Sequence, residues 1–309
     1  MPALLIAAVY VVPFCENLAA RQAAAGALLE APGVSVERDR VYCVADGRSL
    51  GMDVYRGERT SSPAPALVYI HGGGWHGGDK AAGDDMRDVI ALARHGYVVA
   101  SINYRVAPRH RFPAQIHDAK CAVRHLRANA AVLGIDPGRI GAWGASAGGH
   151  LAALLALTVP DDGLEGPDGR GAPSSAVQAV VDLYGPVDLT APDLPARTGE
   201  IVRAVFGDDA ASQRRASPVN YVRPGAPPFL IVHGAEDQSV PVSQSRAMHA
   251  RLVAAGVPAR LIVVRGARHV LEADGEITPT REEISLAIAR FFDETLRPAP
   301  VAASQEAGQ

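Results

Sequence analysis

A serine at position 146 lies within Gly144-Ala145-Ser146-Ala147-Gly148, a G-x-S-x-G element. The apolar run RIGAW (139–143) leads into it, and HLAALLAL (150–157) follows. A strand, a tight turn and a helix are the context in which such a serine becomes a nucleophile. The strained turn lifts the hydroxyl above the sheet edge, and the flanking glycines place no Cβ in the crowded turn. The start of the helix adds partial positive charge where a negative oxygen would develop.

An alkyl hydroxyl attacks poorly at neutral pH unless a base removes its proton and an acid orients that base. In this context the acid and the base follow the serine along the chain, each on a loop after a strand. The run FLIV (229–232) leads into HGAEDQSVP, which places Asp237 on such a loop. The run RLIVV (260–264) leads into RGARHV, which places His269 on the next. Glu236, Asp182 and Asp188 are the alternatives for the acid. Of the other histidines, His233 ends a strand and suits a hydrogen bond in the core. His150, one helical turn past Ser146, suits a brace on the helix. Only neutral imidazole can act as the base, so activity is expected to fall on acidification near the ordinary histidine value of ~6.5.

A third element, HGGGW (71–75), follows the run LVYI. A carbonyl under attack becomes an oxyanion, and backbone N–H groups must already point at it. Gly73 and Gly74 are the candidates, with Ala147 as the third donor. Trp75 and His76 stand where they could shape the substrate pocket. Residues 72–77 (GGGWHG) also fit G-x-G-x-x-G. A dinucleotide site needs an acid at the end of the next strand, and that strand ends Ser101-Ile102-Asn103-Tyr104-Arg105. GGDK (77–80) lacks the Gly-Lys-Ser/Thr order of a P-loop.

These residues need strands to hold them. Apolar, β-rich runs predict eight: Arg40–Val44, Gly51–Tyr55, Leu67–Ile70, Tyr97–Ile102, Ile140–Trp143, Val177–Leu183, Phe229–Val232 and Arg260–Val264. Continuous runs such as YVVASI suit strands buried on both faces of a mostly parallel sheet. Helical patterns alternate with them at about 80–95, from Pro113 onward, 147–158, 243–255 and 281–296. An α/β fold with helices on both faces of the sheet follows. The alternation breaks at 186–228, an insertion of the kind that builds the rim or lid of a site.

Composition excludes other classes. Thirty Lys+Arg against 33 Asp+Glu give a formal charge of −3 in 309 residues, which argues against a nucleic-acid binder. The apolar run at residues 1–15 is too short to span a bilayer, and its first basic residue, Arg21, comes after it. A cleaved export signal is therefore disfavoured, a cytoplasmic location is expected, and no membrane span is predicted. Cys15, Cys43 and Cys121 lie far apart with no CxxC pair, so neither a disulfide nor a metal site is expected.

Taken together, HGGGWHGGDK (71–80), NYRVAPRHRFPAQIHDA (103–119), DPGRIGAWGASAGGHLAALLA (136–156), YGPVDL (184–189) and HGAEDQSVPVSQS (233–245) resemble the α/β-hydrolase superfamily. Within it the chain is similar to the esterase/lipase group of BD-FAE-type (feruloyl/acetyl carbohydrate) esterases and hormone-sensitive-lipase-like carboxylesterases. The resemblance implies an α/β-hydrolase fold with an eight-stranded sheet and a small lid or cap. It also implies Ser146, Asp237 and His269 as triad, the amides of Gly73, Gly74 and Ala147 as oxyanion hole, and no cofactor.

The expected substrate is a small-molecule ester with a small to medium acyl group. An arylformamidase or a peptidase would use the same triad. A silent binding protein on this fold would usually have lost a triad member, and all three are present. Two departures stand out: EDQSVP (236–241) leans toward the carbohydrate esterases, and His269 is followed by Val270-Leu271, where relatives often carry glycine or an aromatic residue. The domains expected are a helical or flexible extension over 1–36, a catalytic domain over 37–297 with the lid-like insertion at 186–228, and a flexible tail over 298–309. Whether the chain is a monomer or a homodimer is left open.

Overall fold

A computed structural model of the chain describes residues 32–297 apart from Arg59 and Asp84. The expectations for the extension up to residue 31 and for the tail over 298–309 lie outside the described residues.

Eight strands form one sheet in the order β1-β2-β4-β3-β5-β6-β7-β8. The strands are β1 (Val34–Ala45), β2 (Arg48–Gly57), β3 (Ala64–Ile70), β4 (Val98–Ile102), β5 (Ile135–Ala145), β6 (Ala179–Leu183), β7 (Phe229–Gly234) and β8 (Ala259–Val264). Strands β1 and β2 form an antiparallel hairpin, and β2 pairs antiparallel with β4. From β4 to β8 every pairing is parallel. Asp46 and Gly47 close the hairpin with φ of 51° and 70°, the left-handed pair that a two-residue turn between twisted strands requires. The first strand starts at Val34, ahead of the boundary expected at 37. Its alternation explains this: Val34 and Val36 pack against the core, while Glu37 is exposed.

The parallel strands are buried on both faces. In β3, Leu67 and Tyr69 join one apolar cluster while Val68 and Ile70 join the other. Helices α1 (Met86–Arg94) and α8 (Arg281–Leu296) cover the first cluster. Helices α2 (Ala114–Ala128), α4 (Ala147–Leu157) and α7 (Ser243–Ala254) cover the second, and the short α3 (Ala130–Leu133) follows α2. The first helix begins at Met86 rather than near 80, because Lys80 is held beside the sheet. Its ammonium pairs with Asp53 at 3.0 Å and Asp39 at 2.9 Å, and its amide donates to Asn103. The insertion at 186–228 carries α5 (Ala196–Phe206) and α6 (Ala210–Arg215).

One expectation from cysteine spacing is overturned: Cys43 and Cys121 form a disulfide between β1 and α2. Their 78-residue separation hides the pairing in the sequence; packing of α2 against β1 brings their Cα atoms to 6.2 Å. Among the described residues no helix is long and apolar enough to cross a membrane.

Candidate active site

Ser146 follows β5 directly and caps α4 with φ 55° and ψ −118°. That strained conformation is held from both sides. The Ser146 amide donates to the Leu183 carbonyl of β6 at 2.8 Å, and the Ser146 carbonyl accepts from the His150 amide at 3.0 Å. The turn fits because Gly148 has no side chain: a Cβ there would lie 1.9 Å from the Ile70 carbonyl oxygen.

The other two candidate residues reach Ser146 from the carboxyl ends of β7 and β8. The Oγ of Ser146 lies 3.0 Å from Nε2 of His269, and Nδ1 of His269 lies 2.7 Å from Oδ2 of Asp237. Gly234 lets the two loops meet, since a Cβ there would stand 2.4 Å from the Ala267 carbonyl oxygen. The Asp237 side chain is fully buried. Its Oδ1 accepts from the amides of Ser239 at 2.8 Å and Val240 at 2.9 Å. Burial pushes this carboxyl up, but hydrogen bonds from His233 and His269, the charge on His269 and the Val240 amide outweigh it. The group stays ionised, well below the usual carboxylate range. The Tyr184 ring meets the His269 imidazole edge-on, with centroids 5.1 Å apart.

Strands β3 and β5 are neighbours, so the turn after β3 lies beside Ser146. A Cβ on Gly72 would come within 3.5 Å of the Ser146 Cβ. Gly73, Gly74 and Trp75 follow with φ of 115°, 61° and 59°. The Gly73 carbonyl accepts from the amides of His76 at 3.2 Å and Gly77 at 3.1 Å. The amides of Gly73 and Gly74 donate to none of the described residues, and that of Ala147 opens α4 without an intrahelical partner.

The pocket candidates separate. His76 is exposed and curls over the turn, with Nδ1 2.9 Å from the Gly74 carbonyl oxygen. Trp75 turns inward and is 2% exposed, because its indole packs edge-on against His150 and Phe206. It supports the turn from below rather than lining an open surface. The insertion reaches the same place. Ile201 of α5 would stand 3.6 Å from a Cβ on Gly74, and the Thr198 hydroxyl donates to the Ser239 carbonyl on the Asp237 loop at 2.6 Å.

Of the alternative acids, Asp182 is fully buried and Asp188 accepts from Thr190. The His269 side chain bonds to Asp237 and Ser146, not to Asp182, Asp188 or Glu236. His150 is a brace: Nδ1 accepts from the Trp75 indole and Nε2 donates to the Ala216 carbonyl. His233 is the residue the sequence undervalued, because it touches Asp237 as well as the core. Its position at the end of β7, four residues before Asp237, is the only signal the sequence offered. Among the described residues no cluster of His, Cys, Asp and Glu could hold a metal ion.

Known proteins resemble this chain throughout the described fold. Residues 52–252 match the BD-FAE family. Esterase LipC of Mycobacterium tuberculosis is 38% identical over 225 residues, covering 70% of this chain and 55% of LipC. Esterase LipQ of the same organism is 38% identical over 224 residues, covering 68% of this chain and 51% of LipQ. The chain thus spans about half the length of these relatives. A truncated carbohydrate esterase from gut microbiota superposes with a TM-score of 0.72 at 29% identity, covering 84% of this chain and 95% of that one. Thermogutta terrifontis esterase 2, phosphonylated by sarin, superposes with a TM-score of 0.73 at 30% identity, covering 86% of this chain and 96% of that one. The matched span, the identities and the superposition agree: the chain belongs to the BD-FAE family, in the esterase/lipase group of the α/β-hydrolase superfamily.

Proposed function

We propose that the protein is a serine carboxylesterase that hydrolyses small to medium acyl esters through an acyl-enzyme. The observation that carries the reading is the continuous line from Ser146 Oγ to His269 at 3.0 Å and on to Asp237 at 2.7 Å, beside unengaged amides. His269 Nε2 takes the hydroxyl proton as Ser146 Oγ bonds to the ester carbonyl carbon. The amides of Gly73, Gly74 and Ala147 stabilise the resulting oxyanion. When the carbonyl reforms, the bond to the alkoxy oxygen breaks, and His269 gives that oxygen the proton. A water then attacks the acyl group, passes a proton to His269 and releases the acid, and Ser146 regains its hydrogen. Asp237 remains a carboxylate throughout and stabilises the imidazolium.

The esterase relatives support this chemistry, and the carbohydrate esterase among them favours acetyl- or feruloyl-carbohydrate esters as the natural substrates. His76 and Ile201, both beside Gly74, are the residues placed to shape the pocket. The disulfide favours an oxidising compartment, against the cytoplasmic location expected from the N-terminal run.

A panel of p-nitrophenyl esters of increasing acyl length, with feruloyl and acetyl-sugar esters and a matching amide, tests the proposal on wild type and Ser146→Ala. The substitution is expected to cost on the order of 10⁴–10⁶ in rate. A fluorophosphonate probe should label wild type stoichiometrically and leave the variant unlabelled. A loss in rate below about tenfold would remove Ser146 from the role of nucleophile.

A further inference from the structure

Oδ2 of Asp237 faces two imidazoles. His269 approaches it through Nδ1 at 2.7 Å, and His233 approaches it through Nε2 at 3.2 Å. The contacts of His233 fix its hydrogens. Nε2 lies 2.8 Å from the Val240 carbonyl, which can only accept, so Nε2 carries hydrogen. Nδ1 lies 2.6 Å from the Ser245 hydroxyl, which in the neutral ring donates to it. The Nε2–H is therefore shared between the Val240 carbonyl and the Asp237 carboxylate. His233, Asp237 and Ser245 are all buried.

We propose that His233 is a positioning residue for the hydrolytic reaction, holding Oδ2 of Asp237 toward His269 and limiting the negative charge that His269 meets there. The inference rests on the triad acting as described above. Two backbone amides anchor Oδ1, so besides His269 the group that restrains Oδ2 is His233. An imidazole N–H toward Oδ2 also draws charge from it, and that charge sets how firmly His269 holds its second proton. The titratable groups around His233 and Asp237 are Asp182 on β6, His269 on the loop after β8 and the Tyr184 phenol beside His269.

The test uses the full chain with His233→Leu, His233→Gln and Ser245→Ala, assayed with p-nitrophenyl acetate across pH. With leucine, kcat/KM on the alkaline plateau is expected to fall about tenfold, with the loss in kcat rather than KM. The acid limb of the profile should move to higher pH by about half a unit, because Oδ2 then keeps more charge for His269. Glutamine can place an amide N–H near Nε2, so it should return kcat/KM to within about threefold of wild type and bring the acid limb back. Ser245→Ala, which removes the group behind Nδ1, should move the limb the same way by a smaller amount, and it carries the test if leucine prevents folding.

An unmoved acid limb in a folded leucine variant, or glutamine no better than leucine, would overturn the proposal. Loss of wild-type turnover itself would count against the esterase reading. In that case proton NMR of the resting protein reads the same point: the low-field Nδ1–H signal of His269 should titrate at higher pH with leucine at 233. An unchanged titration would refute the role of His233 independently of any substrate.

Discussion

The indole N–H of Trp75 donates to Nδ1 of His150 over 3.2 Å, joining the turn after β3 to the first turn of α4. On its other side, Nε2 of His150 donates to the Ala216 carbonyl of the insertion at 2.7 Å. Burial pushes the His150 imidazole down to about 4, against the opposing hydrogen bond to Ala216, so it stays neutral and can accept from Trp75. The bond therefore holds a non-glycine residue at φ 59°, directly after Gly73 and Gly74, the two glycines of the proposed oxyanion hole. Trp75→Phe keeps the ring packing and removes only the N–H. It is expected to cost about 1–3 kcal/mol in stability, through the buried acceptor left on His150. If the amides of Gly73 and Gly74 act as proposed, a loosened turn should also lower kcat for esters about tenfold while KM stays within about threefold. Thermal unfolding and steady-state kinetics on one preparation check both; an unchanged kcat would mean that the turn holds without the bond.

Asp182 gives stability a slope with pH. It is fully buried at the end of β6, where Oδ1 accepts from the Gly185 amide and Oδ2 has no hydrogen-bond partner among the described residues. Burial raises its pKa to about 7, against opposing contributions from the Gly185 amide and His233. Between the ordinary carboxylate value and pH 7 the folded state keeps a proton that the unfolded state has lost. The contribution of this group is therefore fully present below about pH 4 and declines as pH rises toward 7. Asp182→Asn removes the titration, so its stability relative to wild type should improve on going from about pH 4 to pH 8, by up to about 4 kcal/mol. Denaturant unfolding of both proteins at several pH values checks this; parallel curves would show that Asp182 does not titrate in that range.

Most of the sheet was legible, and so was the chain order of Ser146, Asp237 and His269, the proposed triad, because each rests on local pattern. Continuous apolar runs mark buried parallel strands, and the serine turn needs glycine where backbones cross, as Gly148 and the Ile70 carbonyl do. What stayed hidden depends on long-range packing. Trp75 reads as a pocket residue by its place after HGGG, and only the position of His150 and Phe206 turns its indole inward. Val270 and Leu271, the departure that follows His269, both adopt left-handed φ, 56° and 57°. The sequence could flag the missing glycine but not how the chain bends without it. The extension of β1 to Val34 needed its partner Gly57, and His233 needed the fold that lays its Nε2 against Asp237.

The Cys43–Cys121 bond carries the last prediction. It ties the edge strand β1 to α2 and closes a long loop, with 78 residues of sequence separation between its ends. A cross-link of that span restricts the unfolded chain, and loop-closure arguments give it about 4 kcal/mol. Replacing both cysteines with serine is therefore expected to lower Tm by about 10 °C in a domain of this size. Activity at 25 °C should hold within about twofold, because β2, β4 and β3 separate β1 from β5, which leads into Ser146. Adding a reductant to wild type should give the same loss of Tm and should leave the serine variant unaffected. Mass mapping of the native protein, alkylated without reduction, should find positions 43 and 121 joined in one disulfide-linked peptide. Free thiols at both positions, or equal melting with and without reductant, would remove the bond from the account of stability and with it the case for an oxidising compartment.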